Sequence, residues 1–584
     1  MRAGQLFGAR PRRVFCDVGA YVSCRGYVGI PLSAQVHPCE CKVAPRIVSF
    51  FVFYSSLTDI FLLSGTFFIL HFIPGCCGQR PRRTARQLSG AQGGNAMNIL
   101  PSLTDAKKIA AAGQYKVLPV SCEILSDICT PIEAVRILKN VSTHCYLLES
   151  AHQDEKWGRY TFLGFDPKLA ITCENGKMRV GNLTFETENP SASLRQILAD
   201  YKSPRFDYLP SFTGGLVGYF SYDYLGYSEP AVRTCAEDTE GFKDADLMLF
   251  DKVIAFDNFR QKIILIVNMS LEDVEVGYNK AVLELGQLEN LLKTGQRKAE
   301  PGGRLLGEAA PLFDRERFCA MVETAKEHIR EGDIFQIVLS NRLSAPFEGS
   351  LLNTYRILRT LNPSPYMFYF SGTDVEVAGA SPETLVKLEN GVLHTFPLAG
   401  TRPRGRTDEE DKALETELLS DSKELAEHNM LVDLGRNDLG KISRFGTVQV
   451  ESLHSIERFS HVMHIGSTVR GEIREGCDAL DAVEAILPTG TLSGAPKIRA
   501  CQLIGKLENN KRGIYGGAIG YIDFTGNMDT CIAIRIAYKK NGHVFVRSGA
   551  GIVADSVPEK EYEECANKAR AVMNALKMAQ EEDL

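Results

Sequence analysis

Two kinds of periodicity divide the chain along its length. Between residues 115 and 268, short runs rich in β-branched and aromatic residues alternate with Gly and Pro turns, which predicts strands, and Lys252–Asn268 has the pattern of a hairpin centred on Asp-Asn. Apolar residues at helical spacing then predict helices over Leu271–Lys293 and Phe313–Asp333. Further on, strands and helices alternate in runs and not in a strict βαβ repeat, which favours an α+β fold.

Two later helices are predicted with charge concentrated on one face. The first covers Glu409–Leu434 and places Glu424, Glu427 and His428 in one patch at i, i+3 and i+4. The second covers 557–579 and begins with a capping box. Such faces are ordinarily solvated surface, although two carboxylates one turn apart can also share a hard cation or divide acid and metal roles. In the second helix one side carries Glu561, Glu564 and Lys568.

The first 96 residues differ in composition from the remainder. They carry 11 Lys and Arg against 3 Asp and Glu, six of the sixteen cysteines, and the apolar run Ile47–Ile73, which is long enough to cross a bilayer. Two interpretations stay open: a membrane anchor, or a disordered or non-native extension before a chain that starts at Met97. We favour the second, because the Gly-Gly pair just before Met97 can be encoded by a ribosome-binding sequence.

The chain after Met97 has the features of a cytoplasmic protein. The total net charge of −6 gives no reason to expect nucleic acid, and the ten remaining cysteines lack CxxC or metal-finger spacing, which is typical of reduced thiols. The best linker candidate is 293–311, rich in Gly, Pro and charge, between a sheet-rich region 97–292 and a second region 312–584. A chain of this length supports more than one core unless the two regions merge into one sandwich.

Several segments carry groups suited to an anion. FPLAGTRPRG (Phe396–Gly405) offers two arginines, a threonine and two glycines, but no nucleophile. Gly549–Gly551 is predicted either to present successive backbone N–H groups or to form a tight turn with positive φ. Arg535 alternates with apolar neighbours in CIAIRIA, and a charge within such a strand needs a protein or ligand carboxylate. A lone histidine such as His464 is more often a satisfied core residue than a catalyst, and GTLSGAPK (Gly490–Lys497) lacks the Lys-Ser/Thr pair of a nucleotide-binding loop.

Taken together from Pro119 to Lys568, these segments resemble the chorismate-utilising enzymes, and in particular the large subunit (component I) of anthranilate synthases. The resemblance covers nearly all of the chain after Met97 and none of the chain before it. It implies a large α+β sandwich of two antiparallel sheets with outer helices and the substrate between the sheets. The ordered motifs are LLES, NPSPYMFYF, SPETL, PLAGTRPRG, ELAEHNMLVDLGRNDLG, HVMHIGSTVRGE, GTLSGAPK, RGIYGGAIGY, DTCIAIR and GAGIVADSVPEKEYEE.

The resemblance also implies an activity and a set of site residues. Chorismate and ammonia would give anthranilate and pyruvate, with Glu424 as general acid. His464 and Thr491 would support the second step, the elimination of pyruvate. Mg2+ would be held by Glu427 and Glu564. The positions that match substrate contacts are Gly400, Thr401, Tyr515, Arg535, Gly549, Ala550, Gly551 and Lys568.

Two positions separate this reaction from those of related enzymes. Aminodeoxychorismate synthases resemble the chain but carry an attacking lysine where Ala399 stands, and isochorismate and salicylate synthases carry a water-activating lysine where Gln336 stands. The resemblance therefore favours ammonia from outside as the nucleophile. Aminodeoxychorismate synthase and isochorismate synthase activities stay as alternatives. Two further alternatives are a membrane-tethered binding protein on a degenerate version of the fold and a nucleotide-binding protein built on GTLSGAPK.

Regulation and a partner are implied as well. LLES and NPSPYM match a pocket through which tryptophan inhibits the enzyme of the first committed step of its own biosynthesis. The chain contains no G-x-C-x-G nucleophile of a glutaminase, so a small glutamine amidotransferase subunit (component II) would supply ammonia in a heterotetramer of two large and two small subunits. The predicted pocket residues are Leu148, Glu149, Ser150, Pro365, Tyr366 and Met367.

Overall fold

Two large antiparallel sheets form the centre of the molecule. The computed structural model describes residues 97–151, 158–233, 236–299, 301–459 and 462–581. The apolar run Ile47–Ile73, the predicted anchor or extension over 1–96, and the choice between them therefore lie outside the described residues. In the described ranges no helix is both long and apolar enough to cross a membrane.

The first sheet is assembled from strands on both sides of the predicted linker. In spatial order it contains β1 (Ile99–Leu100), β2 (Val117–Leu125), β11 (Lys262–Ser270), β10 (Lys252–Asp257), β4 (Tyr160–Phe165), β3 (Cys145–Glu149), β15 (Tyr366–Ser371), β16 (Glu376–Ser381), β25 (Ile536–Lys540), β26 (His543–Ile552), β14 (Gln336–Glu348) and β12 (Arg304–Leu305), with β13 (Ala310–Pro311) and β22 (Gly494–Ala495) also paired to β14.

The second sheet is assembled in the same way. In spatial order it contains β19 (Leu398–Pro403), β21 (Val462–Glu472), β18 (Val392–Thr395), β17 (Thr384–Glu389), β24 (Met528–Ile532), β23 (Ala518–Asp523), β8 (Gly215–Phe220), β9 (Ala245–Phe250), β5 (Leu169–Glu174), β6 (Lys177–Val180) and β7 (Leu183–Glu186), with β20 (Gln449–Arg458) on β21. Strands from 97–292 and from 312–584 share both sheets, and the linker at 293–311 stays a prediction.

Helices cover the outer faces of the sheets. Aromatic side chains such as Tyr146, Phe250 and Phe368 fill the space between the sheets, and separate apolar clusters join each outer face to its helices. This arrangement confirms the α+β sandwich. The helices are α1 (Leu103–Ala111), α2 (Pro131–Val141), α3 (Pro190–Asp200), α4 (Leu225–Ser228), α5 (Val274–Thr294), α6 (Arg315–Arg330), α7 (Leu352–Leu361), α8 (Asp408–Ser420), α9 (Ser422–Gly440), α10 (Ala479–Ile486), α11 (Lys497–Glu508) and α12 (Pro558–Glu581).

Most of the predicted elements are present, and one helix is divided. The hairpin β10–β11 pairs Asp257 with Lys262 at its closed end, and α5, α6 and α12 match their predicted spans within a few residues. The single helix predicted over Glu409–Leu434 is wrong, since α8 ends at Ser420 and α9 begins anew. Asp421 separates them: its extended backbone breaks the helix, and its side chain caps α9 by accepting from two N–H groups of the next turn.

Two short segments carry the chain from one sheet to the other, side by side. Residues 382–383 join β16 to β17, and residues 533–535 join β24 to β25. They are held together because Ala380 N donates to Arg535 O at 3.2 Å and Ile532 N donates to Glu383 O at 3.0 Å. We call these segments the two crossings, and they bring Glu383 and Arg535 to the seam between the sheets.

Candidate active site

Arg535 lies in the second crossing with its backbone in the left-handed region, at φ 54°. The prediction that it stands within a strand is wrong, because β24 ends at Ile532 where the chain changes sheet. Burial lowers the pKa of the Arg535 guanidinium, and the Tyr515 phenol opposes that shift. Among the described residues no carboxylate lies within ion-pair distance of it. A part-buried cation in a strained backbone position without a protein anion is suited to a ligand carboxylate.

Glu383 lies in the first crossing, and the sequence analysis assigned it no role. Burial raises the pKa of its carboxyl group to about 7, although the hydrogen bond from Thr491 and the charge of Lys568 oppose that shift. Thr491 Oγ1 donates to Glu383 Oε1 at 3.0 Å and lies 2.9 Å from Thr489 Oγ1. A carboxyl group that titrates near neutral pH is suited to general acid catalysis. The available signal was an acid directly after a proline, between two apolar runs in SPETL.

His464 on β21 is oriented by the backbone of β19. Its Nδ1 lies 2.9 Å from Gly400 O and 3.1 Å from Thr401 Oγ1. Because a carbonyl oxygen only accepts, Nδ1 carries the proton and Nε2 is left as the basic nitrogen of a neutral ring. Burial lowers the pKa of His464, the bond to Gly400 opposes this, and Arg535 lowers the pKa further. The histidine is therefore poised to accept a proton at Nε2.

Gly400 stands at an irregularity in the pairing of β19 with β21, between Ala399 and Thr401. Its φ of 67° is the left-handed conformation that glycine adopts without strain. A Cβ atom at this position would lie 3.2 Å from Glu424 Oε2, so a side chain would press on the carboxylate. The structure thus brings Gly400, Thr401, His464 and Glu424 together, as the resemblance implies.

Carboxylates from α9 and α12 face each other across the site. Burial raises the pKa of Glu427, Glu424 and Glu564 raise it further, and Lys423 and Lys568 oppose the shift. Lys568 Nζ lies 2.6 Å from Glu564 Oε1 and donates to Gly549 O at 3.0 Å. Glu427 and Glu564 offer hard oxygen ligands whose mutual repulsion a divalent cation would relieve, so their chemistry fits Mg2+.

Gly549 and Gly551 lie within β26 and not in a loop or a positive-φ turn, which corrects both predictions for this segment. Successive residues of an antiparallel strand direct their N–H groups to opposite sides. Val338 N donates to Ser493 O, away from β26, so its partner Gly551 also points away from β14, as does Gly549 two residues earlier. The N–H of Ala550 faces β14, and two alternate N–H groups are therefore available where three successive ones were predicted.

The two glycines let other predicted site residues approach the backbone. A Cβ atom on Gly549 would lie 2.9 Å from Tyr515 OH, and one on Gly551 would lie 2.8 Å from Gln336 Nε2. Tyr515 and Gln336 are both buried. Because Lys568 influences the pKa of both Glu383 and Glu427, the two crossings, α9, α12 and β26 surround one common site.

The six predicted regulatory residues lie in a separate cavity of about 570 Å³. Pairing of β3 with β15 places Met367 opposite Glu149, and Ala151 N donates to Ser364 O at 3.0 Å. Glu149 is held by Arg359 Nη2 at 3.0 Å. LLES and NPSPYM therefore form one wall, although they are more than 200 residues apart in the sequence. This wall contains Leu148, Glu149, Ser150, Pro365, Tyr366 and Met367.

Comparisons with known proteins agree with this architecture. The profile described as "chorismate binding enzyme" matches residues 143–574. Anthranilate synthase component 1 of Acetivibrio thermocellus is 46% identical over 493 residues, which is 82% of this chain and 99% of that protein. The crystal structure of anthranilate synthase component I from Streptococcus pneumoniae TIGR4 superposes with a TM-score of 0.64 at 40% identity, covering 71% of this chain and 92% of that one. The chain therefore belongs to the chorismate binding enzyme family, and within it to the group of anthranilate synthase component 1 proteins.

A more distant structure shares the fold. The menaquinone-specific isochorismate synthase of Escherichia coli superposes with a TM-score of 0.60 over 81% of this chain and 98% of that one, at 19% identity. At that identity the likeness concerns the sandwich alone.

Proposed function

We propose that this protein converts chorismate and ammonia to anthranilate and pyruvate. The observation that carries the proposal is Arg535, a cation at the seam of the sheets with no carboxylate within ion-pair distance among the described residues. Chorismate is a dianion, and its carboxylates would supply the missing charge. Ala399 and Gln336 support ammonia as the nucleophile, since neither side chain can attack the ring or activate water as a lysine would.

In the first step ammonia forms a bond to the ring carbon next to the one that bears the carboxylate. The bond from the ring to the departing hydroxyl breaks, and that group leaves as water after taking one proton. We assign this proton to Glu383, because a carboxyl group with a pKa of about 7 is still substantially protonated at neutral pH. Glu424 lies 3.6 Å from the Arg402 guanidinium as an ion pair, so we place it as a second carboxylate beside Glu427.

In the second step the added nitrogen returns a proton to Glu383, and the enolpyruvyl ether breaks. His464 Nε2 takes the hydrogen from the carbon that bears the amino group, which makes the ring aromatic. The proton held by His464 Nε2 passes to the methylene carbon of the enolpyruvyl group, which leaves as pyruvate, and the imidazole is neutral again. His464 Nδ1 stays bonded to Gly400 O throughout, which keeps the ring in one orientation.

A divalent cation completes the proposed site. Glu427 and Glu564 would hold Mg2+, and the ion would neutralise a carboxylate of the substrate. Lys568 would then exchange part of its contact with Glu564 for the substrate side of the site.

We further propose that a glutamine amidotransferase subunit delivers the ammonia, that the enzyme serves tryptophan biosynthesis, and that tryptophan inhibits it through the 570 Å³ cavity. The support for a partner is the name component 1 carried by the relatives. The support for inhibition is the meeting of Ser150 and Met367 in one wall, with charged and apolar groups suited to an aromatic amino acid.

The test is fluorescence-detected anthranilate formation by the chain from Met97 with chorismate, Mg2+ and ammonium, repeated with glutamine in place of ammonium. We expect product with ammonium alone. His464→Ala should accumulate the amino intermediate and release little pyruvate. A folded protein that yields isochorismate, or no product with either nitrogen source, would contradict the proposal.

A further inference from the structure

The regulatory cavity and the active site share segments of the chain. Pro382 and Thr384 line the cavity and flank Glu383 of the first crossing. Phe459 also lines the cavity, and its ring meets that of His464 edge-on at 5.5 Å between centroids. Residues that line the cavity are therefore direct chain neighbours of Glu383 and a ring contact of His464.

One wall residue makes a polar contact to the helix that carries the predicted metal ligand. Ser467 lines the cavity, and its Oγ lies 2.7 Å from Nε2 of His428 on α9. His428 is fully buried and stands directly after Glu427 and one turn beyond Glu424. Its Nδ1 has no hydrogen-bond partner among the described residues. The bond to Ser467 is therefore the polar anchor of this imidazole.

This anchor connects the two sites physically. Ser467 Oγ also accepts from His454 N at 3.1 Å, which fixes the hydroxyl between two neighbours. A buried imidazole that loses its single polar partner is left unsatisfied, so α9 is held in register with β21 at this point. A ligand that displaces Ser467 from within the cavity would shift His428, and with it the Glu424–Glu427 turn.

We propose that His428 is a positioning residue, and that its bond to Ser467 transmits occupancy of the cavity to the metal-binding turn of α9. This inference rests on the proposed function and adds to it the route by which tryptophan acts. The inference concerns communication between the cavity and the active site, because the bond between His428 and Ser467 lies behind the cavity wall and not among the reacting groups.

The experiment compares four variants of the protein. Ser467→Ala and His428→Leu both remove the bond, and the leucine fills the space of the imidazole. His428→Gln keeps an amide that reaches Ser467. Thr468→Val is the matched control, because Thr468 lines the same cavity and makes no hydrogen bond to α9 in the described structure. Each variant is assayed for residual anthranilate formation at saturating tryptophan, and calorimetry measures tryptophan affinity with and without chorismate and Mg2+ in ammonia-free buffer.

In the wild type, chorismate and Mg2+ should weaken tryptophan binding about tenfold. Ser467→Ala and His428→Leu should still bind tryptophan, with about the same affinity in the presence and absence of chorismate and Mg2+, and they should stay active at saturating tryptophan. His428→Gln and Thr468→Val should behave as the wild type does. A merely structural role would lower the melting temperature and the rate without removing full inhibition. If His428→Leu does not fold, Ser467→Ala decides the question.

Several results would overturn the inference. One is full inhibition of folded Ser467→Ala by tryptophan. Another is a loss of coupling in Thr468→Val as large as that in Ser467→Ala. A third is a wild type whose tryptophan affinity does not change when chorismate is present. A wild type that makes no anthranilate refutes the proposed function instead, and the calorimetric ratio still measures the link between the cavity and the substrate site.

Discussion

Two regions of the molecule withdraw arginines from solvent, and they balance the charge in opposite ways. Arg512 and Arg547 share Glu508: Arg512 Nη2 donates to Glu508 Oε1 at 2.6 Å and Arg547 Nη2 donates to Glu508 Oε2 at 2.8 Å. Ser340 donates to the same carboxylate through its N–H and its hydroxyl. Arg535 has no such anion among the residues that the structure describes.

The difference separates a structural charge from the charge that we propose binds substrate. Burial opposes ionisation of Glu508, but Arg512 and Arg547 outweigh it and hold its pKa below the usual value of 4.5. Two cations share one carboxylate here, but every nitrogen of both guanidinium groups donates to a protein acceptor, so the cluster offers little to a ligand. The Arg535 guanidinium keeps its charge at the cost of desolvation, which a substrate carboxylate would offset.

The largest expected effect is on activity at Arg535. Arg535→Gln should lower kcat/KM for chorismate about a thousandfold, because the substrate carboxylate would be desolvated without a partner cation. The melting temperature should stay unchanged or rise, since an uncompensated charge has been removed. Steady-state kinetics and calorimetry measure the two quantities. A variant that loses stability but keeps its affinity for chorismate would break the comparison.

The reverse pattern is expected at Glu508. Glu508→Gln should lower the free energy of unfolding by about 3–5 kcal/mol, because two buried guanidinium groups lose their counter-charge. The folded-state pKa of Glu508 is lowered, so its contribution is complete above pH 4.5 and is lost as the pH falls through the folded value. Denaturant unfolding between pH 3 and 7 should show a weaker acid dependence in the variant. Equal acid profiles would contradict the assignment.

Sequence patterns were sufficient for elements that are apolar on one face along their whole length. The β10–β11 hairpin, α5 and α6 were predicted because their periodicity ends where the elements end. The break at Asp421 was missed, because both flanking segments favour helix and only the capping geometry divides them.

The active site was only partly predictable, for a related reason. CIAIRIA stays apolar while the chain passes from one sheet to the other, so alternation alone placed Arg535 within a strand. Glu383 was missed because its shifted pKa comes from burial at the first crossing, and no local pattern reports burial of that kind. The catalytic and metal-binding residues implied by the family motifs lie around one common site, which composition and spacing could not have shown.

Glu383 extends the comparison between structural and active-site charges from a cation to a carboxyl group. Glu383→Gln should lower kcat about a hundredfold, because the amide cannot donate an acidic proton. In the wild type, the rate normalised to free ammonia should fall as the pH rises above about 7, where Glu383 loses its proton. This fall in the pH–rate profile should be missing in Glu383→Gln. The matched variant Glu424→Gln should keep this fall in rate above pH 7. If the fall is lost in Glu424→Gln instead, the general acid is Glu424.

The smallest effect is expected at a second buried ion pair, in GTLSGAPK. Lys497 Nζ donates to Asp438 Oδ2 at 2.6 Å and to Ile486 O at 2.9 Å, so this lysine is satisfied by protein and not by a nucleotide phosphate. Lys497→Met should destabilise the fold, since the buried Asp438 keeps only the half-exposed Lys441, at 3.7 Å, as a cation. The double change Lys497→Met with Asp438→Leu should recover most of that loss, because two apolar side chains of similar shape need no counter-charge. Anthranilate formation should stay within about threefold of the wild type, as expected for residues that pack without contacting substrate.

A double variant that is stable but inactive would show that a fully paired buried charge can also be functional, which would remove the distinction drawn from Glu508 and Arg535.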